Sequence, residues 1–290
     1  MSETNGRTHR YHAEATALEG QLHLPYRQLI ERQAHAKVPE TGGYLSQHTL
    51  DFRVEGIVSY AAAHTQVSGH KDDKPGHGWN TLATSVIEDL NVLNIVTADR
   101  VVAQVSIEHP LEGYVPKVTY LGTNFYNLRV GGFPIQVNLN LNLLEGLPER
   151  DAAFTRHEGF MRRVAERVGA IRKHGNALPE AIAERYGRDP NAPCVRQWEG
   201  GESTEFSLVE NIEGTFPGTT FGNVLEIPNF GRVFLGTVRI EHTDPDKGND
   251  IHKETLIELS MIEVKMGCIA AGAMAIGMTK NNGSTNPGGG

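Results

Sequence analysis

Cysteine is nearly missing: the 290 residues hold two, Cys194 and Cys268, in unlike settings. Two thiols exclude the disulfide framework of a small secreted scaffold, and both are expected to be buried and free. Long apolar runs are also missing. No stretch approaches the about 20 residues of a membrane-spanning helix, and MSETNGRTHR at the N-terminus has no apolar segment behind it to make a secretory signal. An excess of base is lacking too: 27 Lys and Arg stand against 35 Asp and Glu, a formal charge of -8. A chain that tracks phosphates would show the opposite balance, so no nucleic-acid partner is expected. These absences point to a cytoplasmic chain, with export or surface display by a route lacking an evident signal as the alternative.

Catalytic signatures are equally scarce. No G-x-S-x-G elbow, P-loop, G-x-G-x-x-G or C-x-x-C occurs, and His157-Glu158 is not H-E-x-x-H because residue 161 is Met. A Cys194 nucleophile with a His174 base is conceivable, but no local pattern specifies it. Nine of the 13 histidines lie before residue 110, without a motif.

What the chain does have is alternation. Apolar and polar residues exchange with period 2 through most of its length, the signature of half-buried strands, and 32 glycines supply turns and bulges. RYHAEATALEGQLHLP and HTLDFRVEGIVSYAAAHTQVSG read as two long strands, the second with a bulge or bend at Gly56. Residues 26 to 36 read as a short helix between them. In IQVNLNLNL, Ile135 to Leu143, the odd positions are apolar and the even ones are amides. Such an amide row is either a binding face or a solvated sheet face.

The middle differs. Over residues 148 to 174, His157, Met161, Val164, Val168 and Ile171 form one stripe at 4, 3, 4, 3 spacing, which predicts an amphipathic helix. A second short helix, LPEAIAERYG, follows. The chain thus divides into a first β half (1–145), a helical insertion (146–199), a second β half (200–278) packing with the first as one domain, and a disordered tail (279–290).

One sentence of the sequence is spelled twice. NVLNIVTADRVVAQVSIEH (91–109) and NVLEIPNFGRVFLGTVRIEH (223–242) share their beginning, middle and end, with one extra residue in the second copy. Each reads as a hairpin whose turn is VTAD in one and PNFG in the other. An added residue in a strand throws later side chains onto the opposite face. A bulge at Gly236-Thr237 avoids that: Val233, Leu235, Val238, Ile240 and His242 stay together, matching Val101, Ala103, Val105, Ile107 and His109. The same parity separates Glu108 from His109 and Glu241 from His242, so neither pair converges on one ion. The functional alternative is that duplication brings His109 and His242 together.

GHKDDKPGHGW, residues 69 to 79, gathers His70, Asp72, Asp73 and His77. His70, Asp72 and His77 are the metal-ligand candidates, though the spacing matches no physically grounded motif and a solvated hairpin loop explains it as well. No cofactor is expected.

GTNFYNLRVGG, IVTADRVVA and IPNFGRVFLG followed by LIELSMIEVKMG resemble the bacterial choice-of-anchor P family. Its members carry similar VLxxxITAD and GTxFxNLxVxG segments and a late turn before a valine-rich strand. The resemblance covers residues 82 to 134 and 218 to 278. It implies a β-rich surface protein with no assigned catalytic residues; the missing signal and the helical insertion depart from the pattern.

The expectation is a mainly β protein, an antiparallel β-sandwich with internal duplication and a helical insertion, or a β-solenoid if the repeats stack. Its expected role is non-enzymatic: a structural or interaction protein that self-assembles or binds a protein partner. The alternative is a metal- or small-ligand-binding protein, or an enzyme, with a site between the duplicated halves.

Overall fold

The computed structural model describes residues 8–25, 27–54, 56–72, 77–111, 116–145, 153–243, 254–267 and 271–286. Seven strands come first: β1 (Thr8–Leu24), β2 (Gln28–Gln33), β3 (Ala36–Lys37), β4 (Gly43–Val54), β5 (Val58–Lys71), β6 (Trp79–Val92) and β7 (Val96–His109). Short strands β8 (Lys117–Thr119), β9 (Asn124–Tyr126), β10 (Arg129–Val130), β11 (Phe133–Pro134) and β12 (Gln136–Leu139) lead to helices α1 (Glu158–Arg172) and α2 (Glu180–Tyr186). The chain then forms β13 (Val195–Trp198), β14 (Gly201–Ser207), β15 (Val209–Glu213), β16 (Thr219–Phe221), β17 (Val224–Ile227), β18 (Gly231–Thr243), β19 (Glu254–Gly267) and β20 (Ala271–Asn286).

Two antiparallel sheets make the sandwich. One runs β13-β14-β18-β19-β20-β1-β2, with β3, β16 and β17 attached, and the other runs β11-β10-β7-β6-β5-β4, with β8 and β9 beside β7. Their facing sides meet through buried contacts: the Ser85 hydroxyl donates to the Thr16 carbonyl at 3.2 Å, and the Thr65 hydroxyl to the Ala34 carbonyl at 2.6 Å. The first β half is shared between the sheets, because β1 to β3 pair with the C-terminal strands, while β4 to β11 make up the other sheet. The sheets close into neither a barrel nor a solenoid.

Both sheets change the phase of their burial alternation along a transverse line. In β18, Val233 and Leu235 are buried on one side of Gly236, and Val238, Ile240 and His242 on the other. The β-bulge expected at Gly236-Thr237 does not form: a single pair drops out of the ladder at Gly236, which takes φ +57°. The pairing offset to β19 is unchanged, Leu235 opposite Ile262 and Thr237 opposite Ser260. The neighbours make the same slip. Buried residues run Thr255, Ile257, Leu259, Met261 and then Ile262, Val264, Met266 in β19, and Ala13, Ala15, Ala17 and then Leu18, Leu22 in β1. Gly236, Met261, Gly277 and Ala17 therefore stand in register on four adjacent strands. The second sheet has its own line through Asp51, Ala61, Asp89 and Asp99. On every second strand the line is held by a left-handed residue: Asp51 (φ 51°), Asp89 (φ 54°), Gly236 (φ 57°) and Gly277 (φ 64°). Because the strands of a set shift together, the ladders between them keep their register across the line while the buried face changes parity.

Several expectations are corrected. The helix expected over residues 26 to 36 does not form among the described residues 27 to 36; β2 and β3 pair with β1, and Arg32 bridges Glu14 (2.7 Å) and Glu19 (2.9 Å) of β1, so sheet pairing overrides helical spacing. Gly56 (φ 69°) lies in the tight turn between β4 and β5, not in a bend within one strand. The first copy of the repeat turns at Leu93-Asn94, both left-handed (φ 53° and 55°), and VTAD belongs to β7. Asn91 explains the earlier turn: its Oδ1 accepts from the Asn94 backbone N–H (2.8 Å) and its Nδ2 donates to Asn94 Oδ1 (2.7 Å), holding the three-residue loop that Val92 and Val96 close. The second copy turns at Pro228-Asn229, as read from PNFG. One copy thus sits in each sheet, but β7 ends the meander β4–β7, whereas β18 lies inside the meander β16–β20. The strand IQVNLNLNL stops at Leu139, where residues 141–145 turn.

The tail is not disordered over its first part. Thr279 to Asn286 continue β20 and pair with Thr8 to Ala15 of β1, with Asn281 fully buried. Backbone ladder bonds hold this polar stretch, which has few apolar side chains to announce a strand. In the insertion, α1 starts at Glu158 because His157 caps it, its Nδ1 accepting from Phe160 N–H at 3.2 Å. Its buried stripe is Phe160, Val164, Val168 and Ile171. Phe160 meets Phe154 and Phe206 edge-on, each at 5.5 Å, which anchors the helix to β14.

Candidate functional site

The metal candidates divide. Asp72 and His77 lie at the mouth of the β5–β6 connection, where Asp72 N–H donates to the Gly78 carbonyl at 2.9 Å. His77 Nδ1 is 2.9 Å from Glu108 Oε1 and 3.9 Å from Asp72 Oδ2. Glu108, from the first Ile-Glu-His, thus joins the loop while His109 points inward, as parity requires. His70 pairs in register with Asn80, whose Nδ2 donates to Asp72 Oδ2 at 3.4 Å; Asp73 lies outside the described residues. Among the described residues no three His, Cys, Asp or Glu form a metal-holding group.

The repeated histidines serve different clusters, so they line no common pocket. His109 is buried beside His9, ring centroids 4.7 Å apart, and His9 stacks on Trp79 at 5.0 Å. Burial, and then the neighbouring His9, push the His109 imidazole down to about 3. His242 Nε2 accepts from the Phe154 backbone N–H at 3.0 Å, and its Nδ1 lies 3.0 Å from the Thr255 hydroxyl. Burial lowers it to about 4, helped by Arg156. His242 therefore joins the insertion to the sheet.

Cys194 and His174 do not pair. Cys194 Sγ lies 3.7 Å from Arg172 Nη1, and His174 packs edge-on to Phe221 at 5.0 Å. Arg172 is itself occupied, its Nε donating to the Tyr186 carbonyl and its Nη1 to that of Ala192. On α2, Arg185 forks to both oxygens of Glu263 (2.7 and 3.1 Å), donates to Glu205 (2.6 Å) and lies 4.4 Å over the Phe234 ring. These are structural fastenings with their polar groups consumed.

The surface least explained by folding is the edge strand β4. Among the described residues it pairs with β5 on one side only. Its inward row, Leu45, Gln47 and Thr49, stands opposite Val67, Thr65 and Ala63 of β5, which are buried to 1% or less, whereas Leu45 is 36% exposed. The eight-stranded sheet thus overhangs the other by one strand. On the outward row Tyr44 is 62% and Leu50 59% exposed. From Gly43 to Leu50 the strand carries no formal charge and no proline. Other sheet edges are guarded: β2 is short and bears Glu31 and Arg32, β13 has four residues, and β11 two. In the sequence this edge is marked only by an eight-residue strand segment free of charge between Gly42 and Asp51.

No curated protein and no solved structure matches the chain. A family model described as a domain of unknown function, DUF8256, matches residues 9–241, from β1 through most of β18 and across the helical insertion. The chain belongs to the DUF8256 family.

Proposed function

We propose that this protein is a non-enzymatic interaction module that assembles with a second copy of itself through strand β4. The observation that carries the reading is the long, uncharged, one-sided edge from Gly43 to Leu50. An exposed edge presents a row of unpaired N–H and C=O groups, and native sheets normally blunt it with charge, proline or brevity. A two-fold axis through Gln47 sets Tyr44 of each copy opposite Leu50 of the other, Leu45 opposite Thr49, and Ser46 opposite His48. It also places Asp51 opposite Gly43, so no like charges meet. The pairing stops where the left-handed Asp51 interrupts the ladder. The resemblance to the choice-of-anchor P family, a group of β-rich surface proteins, supports the same class of role.

Light scattering on the size-separated full chain tests it. The expected mass is about twice 31.8 kDa at micromolar concentration, falling to one chain in Leu50→Lys and in Tyr44→Lys with the circular dichroism spectrum unchanged. A native chain that stays monomeric, or a dimer indifferent to both substitutions, contradicts the proposal.

A further inference from the structure

A second surface carries an independent assignment. Between β9 and the two-stranded ribbon β12–β15 lies an open cleft of about 600 Å³, floored by Phe125 and Leu128 and walled by Asn124, Asn127, Gln136, Asn138 and Glu213. That volume falls within the range of about 300–1,000 Å³ usual for small-molecule sites. The ribbon's pairing puts Gln136 opposite Glu213 and Asn138 opposite Asn211, so these four side chains share one face. They fix one another. Asn138 Nδ2 donates to Asn211 Oδ1 (2.6 Å) and Glu213 Oε1 (2.8 Å), Gln136 Nε2 donates to Asn138 Oδ1 (3.1 Å), and Asn211 Nδ2 donates to Glu213 Oε1 (3.2 Å). Across the cleft, Asn127 Nδ2 donates to Asp99 Oδ2 (2.6 Å), and Asn124 Oδ1 accepts from Phe125 N–H (2.9 Å).

This network leaves a mixed set of groups for a ligand. Gln136 Oε1, Asn127 Oδ1 and the second oxygen of Glu213 remain as acceptors, and Asn124 Nδ2 as a donor. Hydroxyl groups, which donate and accept at once, match that set. Among the described residues no Lys or Arg lines the cleft, while Glu213 and the nearby Asp99 repel anions. The amide walls disfavour an apolar ligand, which would leave them unpaired. Backbone packing keeps the shape: Gly214 (φ 114°) passes so close to Pro134 that a Cβ there would lie 2.7 Å from its carbonyl oxygen. We infer that this cleft binds a neutral, hydroxyl-rich ligand, a short uncharged oligosaccharide, through Gln136, Asn124, Asn127 and Glu213, with Asn138 holding Gln136 and Glu213 in place.

Isothermal titration of the full chain with cellohexaose, maltohexaose and chitohexaose, and with N-acetylneuraminic acid as the anionic counterpart, tests it. At least one neutral oligosaccharide is expected to bind at one site per chain, with affinity reduced tenfold or more in Gln136→Ala and in Asn138→Ala. Gln136 is exposed and makes a single side-chain bond, so its variant reads binding even where Asn138→Ala loosens the ribbon; thermal midpoints identify that case. No binding by any of the three at millimolar concentration, binding unchanged in Gln136→Ala, or stronger binding of the anion overturns the assignment.

Discussion

His242 shows how one side chain couples the helical insertion to the sheet. A backbone N–H can only donate, so the bond from Phe154 makes Nε2 an acceptor and places the single ring proton on Nδ1, toward the Thr255 hydroxyl. Protonating Nε2 would break that bond. His109 adds a second neutral buried imidazole. The ordinary imidazole value is about 6.5, and the folded values are about 4 for His242 and about 3 for His109. Between those limits the unfolded chain holds more protons. Stability is therefore full above pH 6.5 and declines as pH falls toward 4, by up to ~1.4 kcal/mol per pH unit for each histidine. Urea unfolding from pH 7.5 to 4.5 is expected to show the midpoint dropping with acidity, with a shallower drop in His109→Phe, which removes a titrating group whose Nε2 has no hydrogen-bond partner among the described residues. A midpoint constant over that interval would count against both assignments. Strand parity in the sequence already turned both histidines inward. Their different neighbours were not legible, because His9 and Phe154 reach them from elements remote in the chain.

The strands are organised by the two transverse lines where the buried face changes parity. Part of this was legible: one extra residue between the repeats marked Gly236, and the burial of Val233, Leu235, Val238, Ile240 and His242 follows from it. The rest was hidden, since an interruption shared by neighbouring strands leaves no length difference to compare, and Asp51 and Asp89 look like ordinary surface acids. The two glycines should respond unequally to alanine. Both have positive φ, which costs a non-glycine residue about 1–2 kcal/mol. At Gly236 a new Cβ meets its neighbours at ordinary distances of 3.4 Å or more, whereas at Gly277 it approaches Met261 Cβ at 3.3 Å and Val101 Cγ1 at 3.4 Å in the core between the sheets. Gly277→Ala is thus expected to destabilise the protein more than Gly236→Ala, by roughly another 1 kcal/mol from overpacking. Chemical denaturation of the two variants checks the order; equal losses would mean that the sheets do not meet tightly along this line.

At the level of the molecule, the sandwich and the insertion were readable from period-2 alternation and one helical stripe. The division of the first half between the sheets was not, because strand pairing over more than 200 residues, as between β1 and β20, leaves no local trace. Nor was the overhang of β4, which depends on where the opposite sheet ends. That overhang turns an ordinary hairpin strand into an uncovered edge, and the polar cleft at the β12–β15 ribbon likewise exists only because Asn138 meets Asn211. Self-pairing through β4 is tested most directly by Gln47→Cys in a chain with Cys194 and Cys268 replaced by Ser. Residues directly opposite on antiparallel strands lie about 4.5–5.5 Å apart between Cα atoms, within disulfide reach. Mild oxidation should convert most of the protein to a covalent dimer, while Phe52→Cys in the same background, beyond the paired segment, should remain monomeric. Equal cross-linking at the two positions, or none at Gln47, would contradict an assembly centred on this strand.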